Sequence, residues 1–234
     1  LGDVMKLLII NPNSSATVTA RIDAAAQAAC QAGETITTIC AAGAPDLIVT
    51  PEDAHAAEQA VTQTLSAWHH PVDGVILASF GDTGLDAVRA RTSMPVVGIA
   101  QSAYAMASVL GPRMSIVSFA PTMAEALRKT ALSYGHGNRV AAMHMVEGAS
   151  WDDPGEIQYQ LAPQLLALCQ KSAREDRVSS IVMGGGPLAG LAARLQSQVD
   201  VPLIDGTTAA IATLRVALTG TARAEFTSQR LARS

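Results

Sequence analysis

Short apolar runs alternate along this chain with longer stretches in which apolar positions recur every three or four residues. The first kind of pattern predicts buried strands and the second amphipathic helices. Strands are expected at Lys6–Ile10 (KLLII), Thr35–Cys40 (TITTIC), from Val75, at Val96–Ile99, Met114–Phe119, Arg139–Val146, Ser180–Met183 and Leu203–Asp205. Helices are expected between them. The first is capped by Ser14 or Ser15 and runs to about Ala32. The second is capped by Thr50, carries Pro51 in its first turn and runs toward His69, after a loop at Gly43–Thr50. Others follow at Asp86–Arg91, Gln101–Leu110, beyond Ala120-Pro121-Thr122, from a cap at Trp151–Pro154 to near Arg174, and at Thr207–Leu218. Strands that alternate with helices in this way predict an α/β chain of doubly wound parallel sheets.

The pattern occurs twice. VILASFGDTGL at Val75–Leu85 resembles IVMGGGPLAGL at Ile181–Leu191, with Ser79 and Gly185 separated by 106 positions. MPVVGIA at Met94–Ala100 likewise matches VPLIDGT at Val201–Thr207, at a spacing of 107. Gly111-Pro112 separates the copies, and MSIVSFAPT then repeats the opening LLIINPN. Two halves are therefore predicted. Residues 5–100 form the first, joined by the C-terminal helix 207–220, and residues 101–206 form the second.

Right-handed crossovers between parallel strands bring the strand-to-helix loops to the carboxyl ends of the sheets. Asn11, Asn13, Ser14, Ser79, Phe80, Gly81, Asp82, Ser118, Phe119, Gly184, Gly186, Pro187, Asp205 and Thr207 should then line a cleft between the halves. Glycine loops at such positions expose backbone N–H groups, which suit an anionic or carbonyl ligand. Amides at Phe80, Gly81 and Gly186 would form an oxyanion hole for an enolate, a donor type worth about 3 kcal/mol each. Asp82 either caps its own helix or serves the site, and Asp205 either binds ligand or braces its loop.

Composition narrows the chemistry. The chain is 49% hydrophobic but only 3% aromatic, so Ala, Val, Leu, Ile and Met must fill the core, as helices packed on a parallel sheet allow. Net charge is −4 with scattered cations, which argues against a nucleic-acid partner. No apolar run reaches the roughly 18 residues of a membrane span. The opening LGDVMKLLII lacks a secretory leader's basic region, and LGDV before Met5 is expected to be an expression leader. Cys30, Cys40 and Cys169 are too scattered for a disulfide framework or a metal site, so a cytoplasmic, metal-free protein is expected. His55, His136 and His144 stand alone, and His69-His70 fall at a helix end, so packing or solvation is expected for each. The glycine loops fit neither nucleotide-binding pattern, and no cofactor is implied.

INPNSS, SFGDTGLDAVRA, PVVGIA, SIVSFAPT, GGGPLAGLA and VPLIDGTTAAI, in this order, give the chain a resemblance to the aspartate/glutamate racemase superfamily, and within it to hydantoin and allantoin racemases. The resemblance runs from Met5 to about Gly220. It implies two pseudo-symmetric, flavodoxin-like halves with the active site in the cleft between them. It also implies a homo-oligomer that racemises a small hydantoin, ureide or carboxylate by cofactor-independent proton transfer next to a carbonyl. In such racemases a thiol on each glycine loop acts as acid or base. Here those two catalytic positions hold Ser79 and Gly185. Decarboxylation, isomerisation or hydrolysis on the same scaffold stays open, as does ligand binding without turnover.

Overall fold

The computed structural model describes residues 4–48 and 50–220, so Leu1–Asp3 of the expected leader and Val49 of the predicted loop lie outside it. The first repeat runs β1 (Met5–Asn11), α1 (Ala16–Ala29), β2 (Glu34–Cys40), α2 (Pro51–Ser66), β3 (Gly74–Leu77), α3 (Leu85–Arg89), β4 (Val96–Gly98) and α4 (Ile99–Leu110). The second runs β5 (Met114–Ser118), α5 (Ala124–Ser133), β6 (Val140–Met145), α6 (Ile157–Gln160), α7 (Ala162–Glu175), β7 (Ser180–Met183), α8 (Leu191–Leu195), β8 (Leu203–Asp205) and α9 (Gly206–Gly220). Two four-stranded parallel sheets result, ordered β2-β1-β3-β4 and β6-β5-β7-β8. The doubly wound α/β architecture read from the sequence is the one observed.

Local chemistry explains most boundaries. Ser15 opens α1 by accepting the Val18 N–H, and Cys30 ends it short of the expected Ala32. Thr50 and Asp53 close a reciprocal capping box around Pro51 at the start of α2. The single helix expected from Pro154 to Arg174 is instead a 3₁₀ turn at Pro154–Glu156 followed by α6 and α7. Pro163 is responsible, because it lacks an N–H and crowds the preceding turn, leaving Leu161 at φ −101° and ψ 2° between the two helices.

Alternation along the strands builds the core. Leu8, Ile10, Val75 and Leu77 meet Val61 of α2 and Val88 of α3 on one face of the first sheet. Leu7, Ile9 and Ile76 face the other way, into a cluster shared by Val18 and Ile22 of α1 and by Met114, Ile116 and Val182 of the second half. One apolar cluster thus spans both halves. The two terminal helices reinforce it: α4 packs on β7 and α5, whereas α9 packs on α1, β3 and β4. Arg215 of α9 pairs with Glu34 at the start of β2 and donates to the Ala29 carbonyl at 3.0 Å. No helix among the described residues is long and apolar enough to cross a membrane.

Candidate functional site

Every predicted cleft residue sits at or just beyond the carboxyl end of a strand, and the loops of the two halves touch there. A Cβ on Gly186 would lie 3.2 Å from the Ala78 carbonyl oxygen, next to Ile22 and Val18 of α1. A Cβ on Gly206 would lie 2.8 Å from the Phe80 ring and 2.9 Å from the Ile99 carbonyl oxygen. At Gly206 the approach is too close for a side chain unless something shifts, and at Gly186 it is tighter than an ordinary contact. Gly84 and Gly190 open the helices after the two loops with φ 83° and 82°, and the Asp82 N–H to Ser79 carbonyl bond is mirrored by Leu188 N–H to Gly185. The repeat legible in the sequence is therefore a repeat of hydrogen bonds.

The loops leave donors free. The backbone N–H groups of Ser79, Phe80, Gly81, Gly185 and Gly186 have no partner among the described residues. Ser79 is part-exposed, and its hydroxyl accepts the Thr83 N–H at 3.1 Å. Asn11 donates to Asn13 Oδ1 at 2.8 Å and to Thr19 Oγ1, and Asn13 Oδ1 also accepts the Ser15 N–H. Ser14 donates to Asp46. Ser118 donates to the Gly184 carbonyl at 2.6 Å and fixes the start of the second loop.

Several of these side chains turn inward. Phe80 is buried in the shared core with its ring edge-on to Tyr104 at 6.3 Å, leaving its backbone to the loop. Asp82 caps a helix, but not its own. Its carboxylate accepts from Ala100 N–H at 3.0 Å and Gln101 N–H at 2.8 Å, at the start of α4, and from the Tyr134 hydroxyl of the second half at 2.7 Å. The residue sits at φ 45°, a strained value for a non-glycine residue. Burial pushes its carboxyl up to about 6 from an ordinary 3.8, against the pull of those three donors and Arg89. The Tyr134 hydroxyl is itself driven well above the usual phenol range by burial and by the neighbouring Asp82 charge.

Asp205 braces its loop. It accepts from Gly190 N–H at 2.6 Å and from Thr208 N–H at 3.0 Å, and burial raises its pKa against those bonds. The two halves thus solve one problem from opposite ends. In the first, a carboxylate on the glycine loop reaches the helix after the next strand, over Gly98. In the second, the repeat puts Leu188 at the Asp82 position and Asp205 at the Gly98 position, so the strand end reaches back to the loop. A Cβ on Gly98 would overlap the Asp82 carboxylate, so a side chain there requires that carboxylate to move off the start of α4.

Gly185 has φ 140°, a conformation other L residues adopt rarely and under strain, and a Cβ there would lie 2.6 Å from the Phe119 ring edge. Phe119 is buried and packs edge-on against Trp151 at 5.4 Å. The second of the two thiol positions implied by the resemblance thus has neither a side chain nor room for one.

Three supporting groups escaped the sequence reading. Tyr134 is one. Gln158 of α6 is another; fully buried, it donates to the carbonyls of Pro187 (3.3 Å) and Ala189 (3.0 Å) and holds the second loop. The third is Arg21 of α1, which donates to the Gly155 carbonyl at 2.9 Å, pairs with Glu156 at 2.7 Å and stacks on the Tyr159 ring at 4.5 Å, tying the halves together. None of the three carries a local sequence signal, because each acts through partners 29 or more residues away. The sequence read His144 as standing alone, but it pairs with Asp176 at 2.7 Å, away from the loops. Cys169 is core, with its thiol pushed up to about 12 by burial. Among the described residues no three His, Cys, Asp or Glu side chains are grouped to hold a metal ion. A cavity of about 350 Å³ lined by Trp68, His70, Arg91 and Met94 opens at the amino ends of β3 and β4, far from the glycine loops.

The fold is shared with known proteins. The Asp/Glu/Hydantoin racemase family profile matches residues 7–214. A hydantoin racemase from Paenarthrobacter aurescens is 32% identical over 221 residues, covering 88% of both chains. The solved allantoin racemase of Klebsiella pneumoniae superposes with a TM-score of 0.82 at 30% identity, over 93% of this chain and 89% of that one. The allantoin racemase of Pseudomonas fluorescens gives 0.83 at 25% identity, over 92% of each. With the match running through both sheets and both glycine loops, the chain belongs to the Asp/Glu/Hydantoin racemase family and is an enzyme of the racemase superfamily.

Proposed function

We propose that this enzyme transfers a proton at a carbon next to a carbonyl in a small hydantoin, ureide or carboxylate, without an added cofactor. The observation that carries this reading is the set of free N–H groups on two abutting loops. Donors at Ser79, Phe80 and Gly81 face the task of holding negative charge that develops on a carbonyl oxygen, and those at Gly185 and Gly186 offer the same from the other half. Ser79 supplies the hydroxyl nearest these donors in the chain. Asn11, Asn13 and Ser14 form the polar wall, while Ser118, Phe119, Gly184, Pro187, Asp82 and Asp205 shape and hold the loops. The same reading makes the protein a cytoplasmic homo-oligomer with a small-molecule substrate, built as residues 5–100 with 207–220 against residues 101–206.

One observation favours a second reading. With Phe119 against Gly185, the second loop carries no acid or base side chain, so proton exchange on a single face, or decarboxylation through the same enolate, fits the site. Incubation of each enantiomer of 5-substituted hydantoins and of allantoin in deuterium oxide, against a protein-free control, tests both. Loss of optical rotation with deuterium uptake supports racemisation; uptake with rotation retained supports single-face exchange. Release of carbon dioxide from an α-carboxylated analogue supports the decarboxylase. No acceleration of any of these refutes the proposal.

A further inference from the structure

The cavity at the amino ends of β3 and β4 takes no part in the machinery described above. Val72 leads into β3, which ends at the first glycine loop, and α3 returns from that loop to Val88 and Arg91. The cavity therefore sits at the opposite end of the unit that carries Ser79. Its space of about 350 Å³ falls within the range of small-molecule sites, and its walls have the usual mixture of apolar surface and a few polar groups. Val72, Val88 and Met94 supply the apolar part, joined by the Trp68 indole, which lies edge-on to the His70 ring at 5.1 Å.

Two observations define the occupant. The first is charge. Arg91 lines the cavity; it donates to the Ala87 carbonyl at 3.0 Å and forms no ion pair among the described residues. No Asp or Glu lines the space. In a chain of net charge −4 this is a locally positive place, and it favours an anion. A guanidinium suits a carboxylate in particular, because its planar fork of donors matches two oxygens. The second is the Trp68 Nε1–H, which is buried and has no hydrogen-bond partner among the described residues. Buried donors are ordinarily satisfied. A turn of the indole would offer this one to an acceptor held in the cavity. A ligand with an aromatic body against the Trp68–His70 pair and one carboxylate toward Arg91 meets these demands together.

We propose that this cavity is a second ligand site, for a small aryl carboxylate, separate from the cleft between the halves. It stands independently of the reaction catalysed. Cinnamate and its neutral amide, cinnamamide, are suitable probes. Cinnamate should bind the wild-type protein with a Kd of about 1 mM or tighter in isothermal titration. It should also slow hydrogen exchange at residues 62–72 and 88–94. Removing the charge, either with cinnamamide or by Arg91→Gln, should weaken binding about fivefold, since Arg91 is exposed. Binding that leaves exchange in those two segments untouched overturns the proposal, as does no saturation up to about 10 mM. Equal affinities for acid and amide, or for wild type and Arg91→Gln, overturn it too. Protection of the same segments that rises with protein concentration without either probe would mean that a second copy covers the cavity, and overturns it as well. Should Arg91→Gln fail to fold, the comparison of acid with amide on the wild-type protein decides.

Discussion

Replacing Asp82 by asparagine tests whether the buried carboxylate beneath the first glycine loop is held against its own desolvation. The folded pKa of about 6 lies above the ordinary 3.8, so the folded state binds the proton more tightly. The group's contribution to stability is then fully present below pH about 3.8 and is lost as pH rises through about 6. The shift corresponds to about 3 kcal/mol in all, of which about 2 kcal/mol falls between pH 4.5 and 7.5. Asparagine keeps one acceptor for the amides of Ala100 and Gln101 and cannot ionise. Asp205, also raised by burial, contributes a dependence of the same sign in both proteins, so the difference between them isolates Asp82. Urea unfolding of wild type and Asp82→Asn across this range should show wild type losing about 2 kcal/mol relative to the variant. Parallel curves would refute the account. So would a wild type that gains on the variant as pH rises, since the three hydrogen bonds would then outweigh burial.

Further outcomes follow from the contacts between loops. Gly185→Cys should destabilise by about 2–4 kcal/mol through a strained φ and overlap with Phe119, with part of the loss recovered when Phe119→Ala accompanies it; thermal unfolding measures this. If the missing thiols limit racemisation, Ser79→Cys with Gly185→Cys and Phe119→Ala should racemise hydantoins at least tenfold faster than the same protein retaining Phe119, read by polarimetry. Gly206→Ala should cost about 1–3 kcal/mol, because its methyl meets the Phe80 ring and the Ile99 carbonyl; a neutral result would mean that the loops do not abut. Arg21→Ala should cost about 1–2 kcal/mol, mostly from the bond to the Gly155 carbonyl and the Tyr159 stack, since its ion pair with Glu156 is half exposed. A urea midpoint equal to wild type would remove Arg21 as a tie between halves.

The fold was legible because its signals are local. Runs such as KLLII and SIVM, Pro51 behind Thr50, and glycines opening two helices each act within a few residues. Pro163 is equally local, but the apolar periodicity runs through it and predicts one helix where the chain forms two. The site was legible as a set of loops but not as a set of roles. The partners of Asp82 lie 18, 19 and 52 residues away, on α4 and in the other half, and no periodicity encodes them. The occupation of the Gly185 space by Phe119 depends on how β5 and β7 pair, and hence on tertiary packing rather than on either sequence motif.

The traded positions of Asp82 and Asp205 bear on how such a molecule diverges after duplication. In the first half an acid introduced at residue 98 would meet the resident carboxylate, while removing Asp82 alone would leave the first amides of α4 without their acceptor. The two positions are therefore energetically coupled, and the effect of replacing both will not be the sum of the two single replacements.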